Sequence, residues 1–392
     1  MLELLFVLLV GAAAAVAVLV WIASVTSWAF LLVVIAMLAV AGLVGALALF
    51  RLATRYWSSA YGYRPVDGAQ HATVRTPDGA VLNVELDGSR GAPLTVVFLH
   101  GVASDLSVWH HQREALAETP HRAITFDARG HGKSSYVALA GSTVGVRQLA
   151  EDVGTVIDEL APAGPLVLVG HSMGGMSIFA LADVRPDIIA RTRSLVILNS
   201  TPGPFGPSVT LGLPKLFAPV YLLARRYAVA TFWLASRVPE RLRHAFGLGP
   251  YLIGMRAMAA YGNQPREAVR IAALGLWHTP ARVLADCARA IMSHDEQAAL
   301  TTLPLMPVVV LAGHNDRIIT PAEVHRWAPT VPHVRLVILE RCGHMTPLEQ
   351  PDEVNAQLLA IVDETARHLA ARRPEPAAEA APRPRPRPRP ST

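Results

Sequence analysis

The chain of 392 residues opens on an unbroken apolar stretch, with no charged residue between Glu3 and Arg51. As one straight helix this stretch would measure roughly 70 Å, about twice the roughly 30 Å hydrocarbon core of a bilayer. Two spans fit better than one, because the Ser-Val-Thr-Ser break at residues 24–27 is flanked by tryptophans suited to an interface. We therefore predict a transmembrane hairpin over residues 1–50. Its two helices would cover residues 4–23 and 28–50.

The charges that follow the hairpin predict its orientation. Arg51, Arg55 and Arg64 lie in the stretch 51–69, which we interpret as a linker. Because basic residues favour the cytoplasmic side, an integral membrane protein with its downstream domain in the cytoplasm is expected. A cleaved secretory signal is the competing interpretation, but it would have a basic start and a much shorter apolar core. A helix buried in a globular core would show a polar outer face, which this stretch lacks.

From residue 70 the apolar runs become short and alternate with turns. Runs 71–75 and 81–86 flank a Thr-Pro-Asp-Gly turn, which predicts a β-hairpin. Further apolar, β-branched runs are typical of buried parallel strands, and most are separated by helical segments such as 147–160 and 173–182. These six runs are 94–99, 123–126, 166–169, 195–198, 308–311 and 334–339. The pattern predicts an α/β fold with an eight-stranded, mostly parallel sheet and helices on both faces.

Two segments depart from this alternation. Residues 202–303 separate two predicted strands by too long an interval for a crossover, and we interpret them as an inserted helical cap. The core would then consist of residues 70–201 and 304–372. Residues 373–392 turn to Pro, Ala and Glu and then to alternating Pro-Arg, which predicts a disordered tail able to form polyproline II. Such a tail is also compatible with anionic lipid headgroups or a polyproline-reading domain.

Composition excludes several classes of protein. The formal charge is +5, but four arginines lie between positions 383 and 389, so the rest of the chain is near neutral. This argues against a nucleic-acid-binding domain, whose basic residues form a patch on the fold. The two cysteines, Cys287 and Cys342, occur in unlike contexts without metal-ligand spacing, which argues against a disulfide framework or a zinc site. A single disulfide between them stays open.

The strongest chemical motif is Gly-His-Ser-Met-Gly-Gly at residues 170–175, directly after an apolar predicted strand and at the start of a helical run. In this context the small residues at 170 and 174 allow a sharp turn that exposes the Ser172 hydroxyl at a helix N-terminus. The pattern by itself is common, and a glycine-rich helix cap is the alternative. The strand before it and the helix after it favour Ser172 as a nucleophile.

Two late loops supply the base and the acid that such a serine needs. A serine hydroxyl is a weak nucleophile until an imidazole takes its proton and a carboxylate fixes the tautomer of that imidazole. Asp316 and His344 follow the last two predicted strands, where open α/β sheets place their sites. An ordinary turn aspartate and a surface histidine are the alternatives. Asn199 and Ser200 follow the strand 195–198 and carry no charge, which favours Asp316 as the acid.

The anionic intermediate of acyl transfer needs backbone N–H donors, each of which lowers the barrier by roughly 3 kcal/mol. One donor should be Met173, directly after the nucleophile. The other should come from the loop His-Gly-Val-Ala at residues 100–103, and we predict the N–H of Val102. A tight strand exit is the alternative interpretation of this loop.

Together these residues resemble the α/β-hydrolase fold family over residues 70–371. The resemblance includes the segment Asp-Ala-Arg-Gly-His-Gly-Lys-Ser at 127–134, similar to the D-x-R-G-x-G-x-S loop of the family, and the run Gly-His-Met-Thr-Pro-Leu-Glu-Gln-Pro at 343–351. It implies that the 127–134 loop is structural and that the nearest branch contains esterases, lipases and non-haem haloperoxidases. The N-terminal hairpin and the Pro-Arg tail depart from the family pattern.

The predicted function is that of a membrane-anchored serine hydrolase that cleaves a carboxylic ester through an acyl-enzyme, with Ser172, His344 and Asp316 as its triad. The anchor and a cap rich in leucine and alanine favour a lipophilic ester, and no metal ion or organic cofactor is needed. Ser172 excludes relatives that attack with aspartate. Thioesterases, acyltransferases, hydroxynitrile lyases, C–C bond hydrolases and perhydrolases share the triad and stay open, as does a catalytically silent membrane-anchored scaffold. The sequence leaves the oligomeric state open.

Overall fold

A computed structural model describes residues 66–137, 144–205 and 264–371, with scattered positions before residue 41 and at 237. The chain divides into two compact units, residues 1–60 and 61–392, and all features below belong to the second. The predicted hairpin over 1–50 falls almost wholly outside the described residues, and so does the tail from 373. Among the residues that are described, no helix has the length and apolar character needed to cross a membrane.

Eight strands form one sheet, which confirms the prediction of an eight-stranded, mostly parallel sheet. The strands are β1 (Gln70–Arg75), β2 (Val81–Asp87), β3 (Thr95–Leu99), β4 (Arg122–Phe126), β5 (Leu166–His171), β6 (Thr192–Leu198), β7 (Val308–Gly313) and β8 (Val334–Leu339). Their spatial order is β1-β2-β4-β3-β5-β6-β7-β8. The β1–β2 and β2–β4 pairs are antiparallel, and the strands from β4 to β8 pair in parallel.

Helices cover both faces of the sheet. They are α1 (His110–Ala117), α2 (Val146–Leu160), α3 (Met173–Val184), α4 (Pro186–Arg191), α5 (Arg266–His278), α6 (Ala281–Ser293), α7 (Ala299–Thr302), α8 (Pro321–Trp327), α9 (Thr346–Glu349) and α10 (Pro351–Ala371). Side chains alternate along β3: Val97 and Leu99 face the core formed with α2 and α3, and Val96 and Phe98 face the core formed with α1 and α10. Burial on both faces explains the continuous apolar runs in the sequence.

The loop after β4 is tied to its surroundings by buried charges. The Asp127 carboxylate accepts hydrogen bonds from the backbone N–H groups of Leu106 and Lys133, both at 2.9 Å. Burial disfavours the charged Arg129 guanidinium, but its hydrogen bonds to Asp152 and Asp78 outweigh that cost and raise the pKa of Arg129. The loop therefore joins β4 to α2 and to the β1–β2 turn, which agrees with a structural role.

The described part of the predicted cap is helical and packs on the carboxyl end of the sheet. Gly275 of α5 lies so close to the Ala103 carbonyl that a methyl group there would overlap it. On α6, Asp286 accepts a hydrogen bond from the Tyr136 hydroxyl. The remaining cap residues, 206–236 and 238–263, lie outside the described residues. Cys287 of α6 and Cys342 are both buried free thiols, so the disulfide left open by the sequence does not form.

Candidate active site

The turn between β5 and α3 holds Ser172 in a strained conformation. Its backbone has φ 51° and ψ −117°, in the region that side-chain-bearing residues rarely adopt. The Ser172 N–H donates to the carbonyl of Leu198 at 2.9 Å, and the Ser200 hydroxyl donates to the Ser172 carbonyl at 2.7 Å. These bonds to β6 and the residues after it fix the turn, and Ser172 is left 5% exposed at the start of α3.

Close backbone approach explains the glycines on either side of this serine. A β-carbon at Gly170 would lie 2.7 Å from the Gly175 nitrogen, and one at Gly174 would overlap the carbonyl oxygen of Leu99 in β3. Any side chain at these positions would push α3 away from the sheet. The motif therefore encodes a tight packing of α3 against β5 and β3, in addition to the turn itself.

The loops after β7 and β8 bring the predicted acid and base together. His344 Nδ1 lies 2.8 Å from Asp316 Oδ2, and their side chains are 7% and 0% exposed. Since an ionised carboxylate only accepts hydrogen bonds, Nδ1 carries the proton and donates it in this contact. The Nε2 lone pair of His344 is then free to take a proton from another group.

The Asp316 carboxylate is held by further donors. Oδ1 accepts from the backbone N–H groups of Ile318 and Ile319 at 2.7 and 3.0 Å. Oδ2, besides His344, accepts from Asn199 Nδ2 at 2.7 Å. The Asn199 amide is oriented in turn by the Thr346 hydroxyl, which donates to Asn199 Oδ1 at 2.7 Å. These four donors fix the direction of the Asp316 carboxylate towards His344.

His171 connects the turn at Ser172 to His344. Its Nε2 donates to the His344 carbonyl at 2.8 Å, and the two rings lie 4.9 Å apart between centroids. Burial, followed by the neighbouring His344, lowers the pKa of His171 to about 3, so this ring is neutral at physiological pH. Within the described part of the chain, no hydrogen bond joins Ser172 Oγ to the His344 ring. Such bonds are often long without substrate and tighten in the complex.

Glu349 stabilises the loop that carries His344. Its two carboxylate oxygens accept the backbone N–H groups of Gly343 and Met345 at 2.6 and 2.8 Å, on either side of His344. Burial raises the pKa of Glu349. The pair of hydrogen bonds holds the backbone of His344 in one position, which is what a base needs in order to meet its partner.

The loop after β3 passes over the serine turn. A β-carbon at Gly101 would lie 3.1 Å from Ser172 Cβ and 3.0 Å from His171 Nδ1, so the loop runs in contact with the turn that holds Ser172. Val102 packs against the apolar cluster that contains Met173. Met173 is the first residue of α3, where backbone N–H groups have no acceptor within the helix. The structure thus brings Val102 and Met173, which carry the two predicted oxyanion donors, into contact with one apolar cluster.

Comparison with known proteins defines the family. A protein-family model described as "Alpha/beta hydrolase family" matches residues 96–357, which contain Ser172, Asp316 and His344. The match spans more than half of the chain and agrees with the sheet order and the elbow after β5. The chain belongs to the alpha/beta hydrolase family, and it is an enzyme of that class.

Several characterised proteins are similar to this chain. The dihydrolipoyllysine-residue acetyltransferase component of the acetoin cleaving system of Pseudomonas putida is 28% identical over 280 residues, 71% of this chain and 65% of that protein, just under two thirds. The sn-1-specific diacylglycerol lipase ABHD11 of Mus musculus is 25% identical over 273 residues, 68% of this chain and 80% of that protein. A thermophilic esterase from Thermogutta terrifontis shares the fold, with a TM-score of 0.59, 24% identity, and coverage of 76% and 100%.

Sequence reasoning missed the residues that act through others. Asn199 was noted only for its lack of charge, yet it contacts the Asp316 carboxylate. Glu349 and Thr346 lie so close in sequence to His344 that a capping or bracing role could have been suspected. Asn199 carried no such signal, because its partners Asp316 and Thr346 are far away in sequence and meet it only across the parallel strands β6 and β7.

Proposed function

We propose that this protein is a membrane-anchored serine hydrolase that cleaves a carboxylic ester through an acyl-enzyme. The observation that carries the proposal is the buried contact of 2.8 Å between His344 Nδ1 and Asp316 Oδ2, which leaves Nε2 of His344 as a base. The strained Ser172 lies in the turn that His171 links to this base. A carboxylate, an imidazole and an activated hydroxyl are the groups that acyl transfer needs.

In the proposed mechanism Ser172 attacks the ester carbonyl while His344 Nε2 takes its proton. Asp316 stabilises the imidazolium that forms, and the N–H groups of Val102 and Met173 bind the oxyanion. The intermediate collapses, the alcohol leaves with the proton from His344, and Ser172 remains acylated. A water molecule activated by His344 then attacks the acyl-enzyme and releases the acid. Each step uses only groups of this chain, the substrate and one water molecule.

A lipophilic ester is the proposed substrate class. We propose that residues 1–50 form a transmembrane hairpin, joined by the linker 51–69 to a core of 70–201 and 304–372 with a cap at 202–303. The apolar stretch without charge from residue 4 to residue 50 supports the anchor, and the similarity to a diacylglycerol lipase supports a lipid-like substrate. A domain anchored on the cytoplasmic face would receive such a substrate from the bilayer.

Fluorophosphonate labelling tests the nucleophile. We expect the full chain to be labelled and Ser172→Ala to lose both labelling and at least about 10⁴-fold in kcat on a p-nitrophenyl ester. Ser177→Ala is the matched control, because Ser177 lies in the same helix and its hydroxyl only donates to the Met173 carbonyl at 3.0 Å. Labelled Ser172→Ala, or a folded chain without labelling, would reject the proposal.

Asp316→Asn tests the acid. The amide of asparagine does not keep the proton of His344 on Nδ1 as the carboxylate does. Turnover should therefore fall by up to about 10⁴-fold while the fold stays intact. The measurement is kcat for the purified variant, together with its thermal midpoint. Near-normal turnover would identify another carboxylate as the partner of His344.

A further inference from the structure

Two histidines and a glutamate lie close together where a core helix contacts a helix of the predicted cap. His110 and His111 begin α1 of the core, and Glu267 is the second residue of α5 in the cap. His110 Nε2 lies 3.2 Å from one oxygen of Glu267, and His111 Nε2 lies 3.6 Å from the other. One ligand atom from each of the three side chains lies within 4.8 Å of the other two.

We propose that His110, His111 and Glu267 bind a divalent transition-metal cation such as Zn²⁺, which joins the cap helix α5 to the core helix α1. Imidazole nitrogen and carboxylate oxygen are preferred ligands of such ions, with bonds of about 2.0–2.2 Å. Two tetrahedral ligands at those bond lengths lie roughly 3.3–3.6 Å apart. The two histidine–glutamate separations are close to this spacing, and the three ligand atoms lie within 4.8 Å of one another.

The orientation of His110 supports this assignment. Its Nδ1 lies 2.9 Å from the Ser107 carbonyl oxygen, which can only accept, so Nδ1 donates in this contact. Nε2 is the ring nitrogen that faces the Glu267 carboxylate at 3.2 Å, where a bound cation would lie. A backbone carbonyl that fixes the far nitrogen is also the usual outer partner of a metal-bound histidine.

The three proposed ligands lie on helices whose neighbouring residues are buried. Val108 and Trp109, directly before the histidines, are fully buried, and Ala268, directly after the glutamate, is 1% exposed in the same apolar cluster. Rigid supports on both sides favour a preorganised site. The side chains of His111 and Glu267 are 27% and 29% exposed, so an ion can enter from solvent. Water would complete the coordination.

A cation at this position would fix the cap above the active site. Gly275 lies two turns along α5 from Glu267 and contacts the Ala103 carbonyl, next to the proposed oxyanion donor Val102. Fixing α5 against α1 would therefore fix the surface that covers the loop over Ser172. The proposal concerns the position of the cap and requires no metal in the chemical steps.

Zinc binding by the full chain tests the proposal. The chain is purified in detergent with a chelator, freed of the chelator, and titrated with ZnCl₂ in a calorimeter. We expect one high-affinity zinc ion per chain and, at about 100 times Kd, a thermal midpoint raised by roughly 3–6 °C. A folded chain that binds no zinc would overturn the proposal, since the His–Glu contacts would then be ordinary ion pairs.

Single substitutions locate the ion. Glu267→Gln and His111→Asn should each lower zinc affinity at least about 100-fold, because losing a direct ligand costs more than losing an outer partner. His314→Asn is the control: His314 lies 3.5 Å from Glu340 in an exposed pair, and no third ligand joins it in the described part of the chain. We expect its affinity to be unchanged. Unchanged affinity in Glu267→Gln and His111→Asn would place the zinc elsewhere and reject the site.

Discussion

Asn199 holds the acid of the proposed triad in place from an unusual backbone conformation. Its φ of 46° is left-handed, and its side-chain amide donates to Asp316 at 2.7 Å and to the Gly343 carbonyl at 3.2 Å. One neutral side chain thus connects the loops that carry the acid and the base. Asparagine is among the few residues that tolerate this conformation and can also donate two hydrogen bonds.

Asn199→Gly should lower kcat/KM by about 10-fold. Glycine accepts the left-handed backbone, so the variant removes only the side-chain hydrogen bonds, and a bond to a charged group contributes roughly 1.5–3 kcal/mol. The measurement is p-nitrophenyl ester hydrolysis at constant pH. Asn83→Ala is the control, because Asn83 donates to Asp127 at 2.9 Å, away from the triad. An equal loss in both variants would contradict the role of Asn199 in positioning Asp316.

Two buried histidines should make the fold sensitive to acid. Burial, followed by a neighbouring histidine, lowers the pKa of His131 and of His171 from 6.5 to about 3 in each case. Between these pH values the unfolded chain binds the protons and the folded chain does not. The free energy of unfolding therefore rises with pH across this window. The contribution of these two histidines to stability is lost as pH falls below about 6.5.

His131→Asn should reduce this pH dependence by up to one proton. Asparagine keeps an N–H donor near the position of Nδ1, which lies 3.1 Å from the Arg129 carbonyl, but it does not titrate. Urea unfolding from about pH 7 to pH 4 measures the slope, expected to fall by up to about 1.4 kcal/mol per pH unit. Thr301→Ala, which removes an exposed hydroxyl bonded to the Ala298 carbonyl and no titrating group, should leave the slope unchanged. A slope equal to wild type in His131→Asn would show that His131 is protonated in the fold.

At the scale of elements, the contact between α3 and β3 decides where Ser172 lies. Gly174→Ala would place a methyl group on the Leu99 carbonyl oxygen, both of which belong to rigid elements. We expect a loss of roughly 2–3 kcal/mol in the free energy of unfolding and a large loss of activity, because α3 carries Ser172. Chemical denaturation and ester hydrolysis measure the two effects.

Gly145→Ala is the matched control for that substitution. A β-carbon at Gly145, directly before α2, meets nothing within 4 Å, so its stability should change by about 0.5 kcal/mol or less. Equal stability of the two variants would mean that α3 can move away from β3 without cost.

The elements themselves follow closely from the pattern of apolar residues. In α2, the buried residues Leu149, Val153 and Ile157 recur at helical spacing, and this helix begins within one residue of the prediction. The prediction for β6 began at residue 195, whereas the strand starts at Thr192. Its first residues are polar, and the hydroxyl of the buried Ser194 pairs with Thr365 of α10 at 2.6 Å. A partner that far along the chain cannot be seen in a local pattern.

At the scale of the whole molecule, the boundary between the two compact units allows the proposed anchor to be tested. A chain that lacks residues 1–50 keeps the entire 61–392 unit. We expect the full chain in the membrane fraction after carbonate extraction and the shortened chain in the supernatant. Release of the full chain by carbonate would contradict a transmembrane hairpin.

The two forms also separate anchoring from chemistry. On p-nitrophenyl esters of increasing acyl length, both should show the same chain-length preference, because the proposed triad lies wholly within 61–392. A preference for long acyl chains in both would support a lipophilic substrate. A flat or inactive profile with intact fluorophosphonate labelling would favour the C–C hydrolase or lyase alternatives.

The sequence by itself determined the sheet and the order of its strands along the chain, and it predicted Ser172, Asp316 and His344 as a set. It could do so because strand periodicity and a turn motif are local, and because the carboxyl ends of parallel strands share one edge. Only the tertiary structure placed Asn199 on Asp316 and brought His110 and His111 to Glu267. Those contacts join residues far apart in sequence, and packing of the cap and of neighbouring strands decides them.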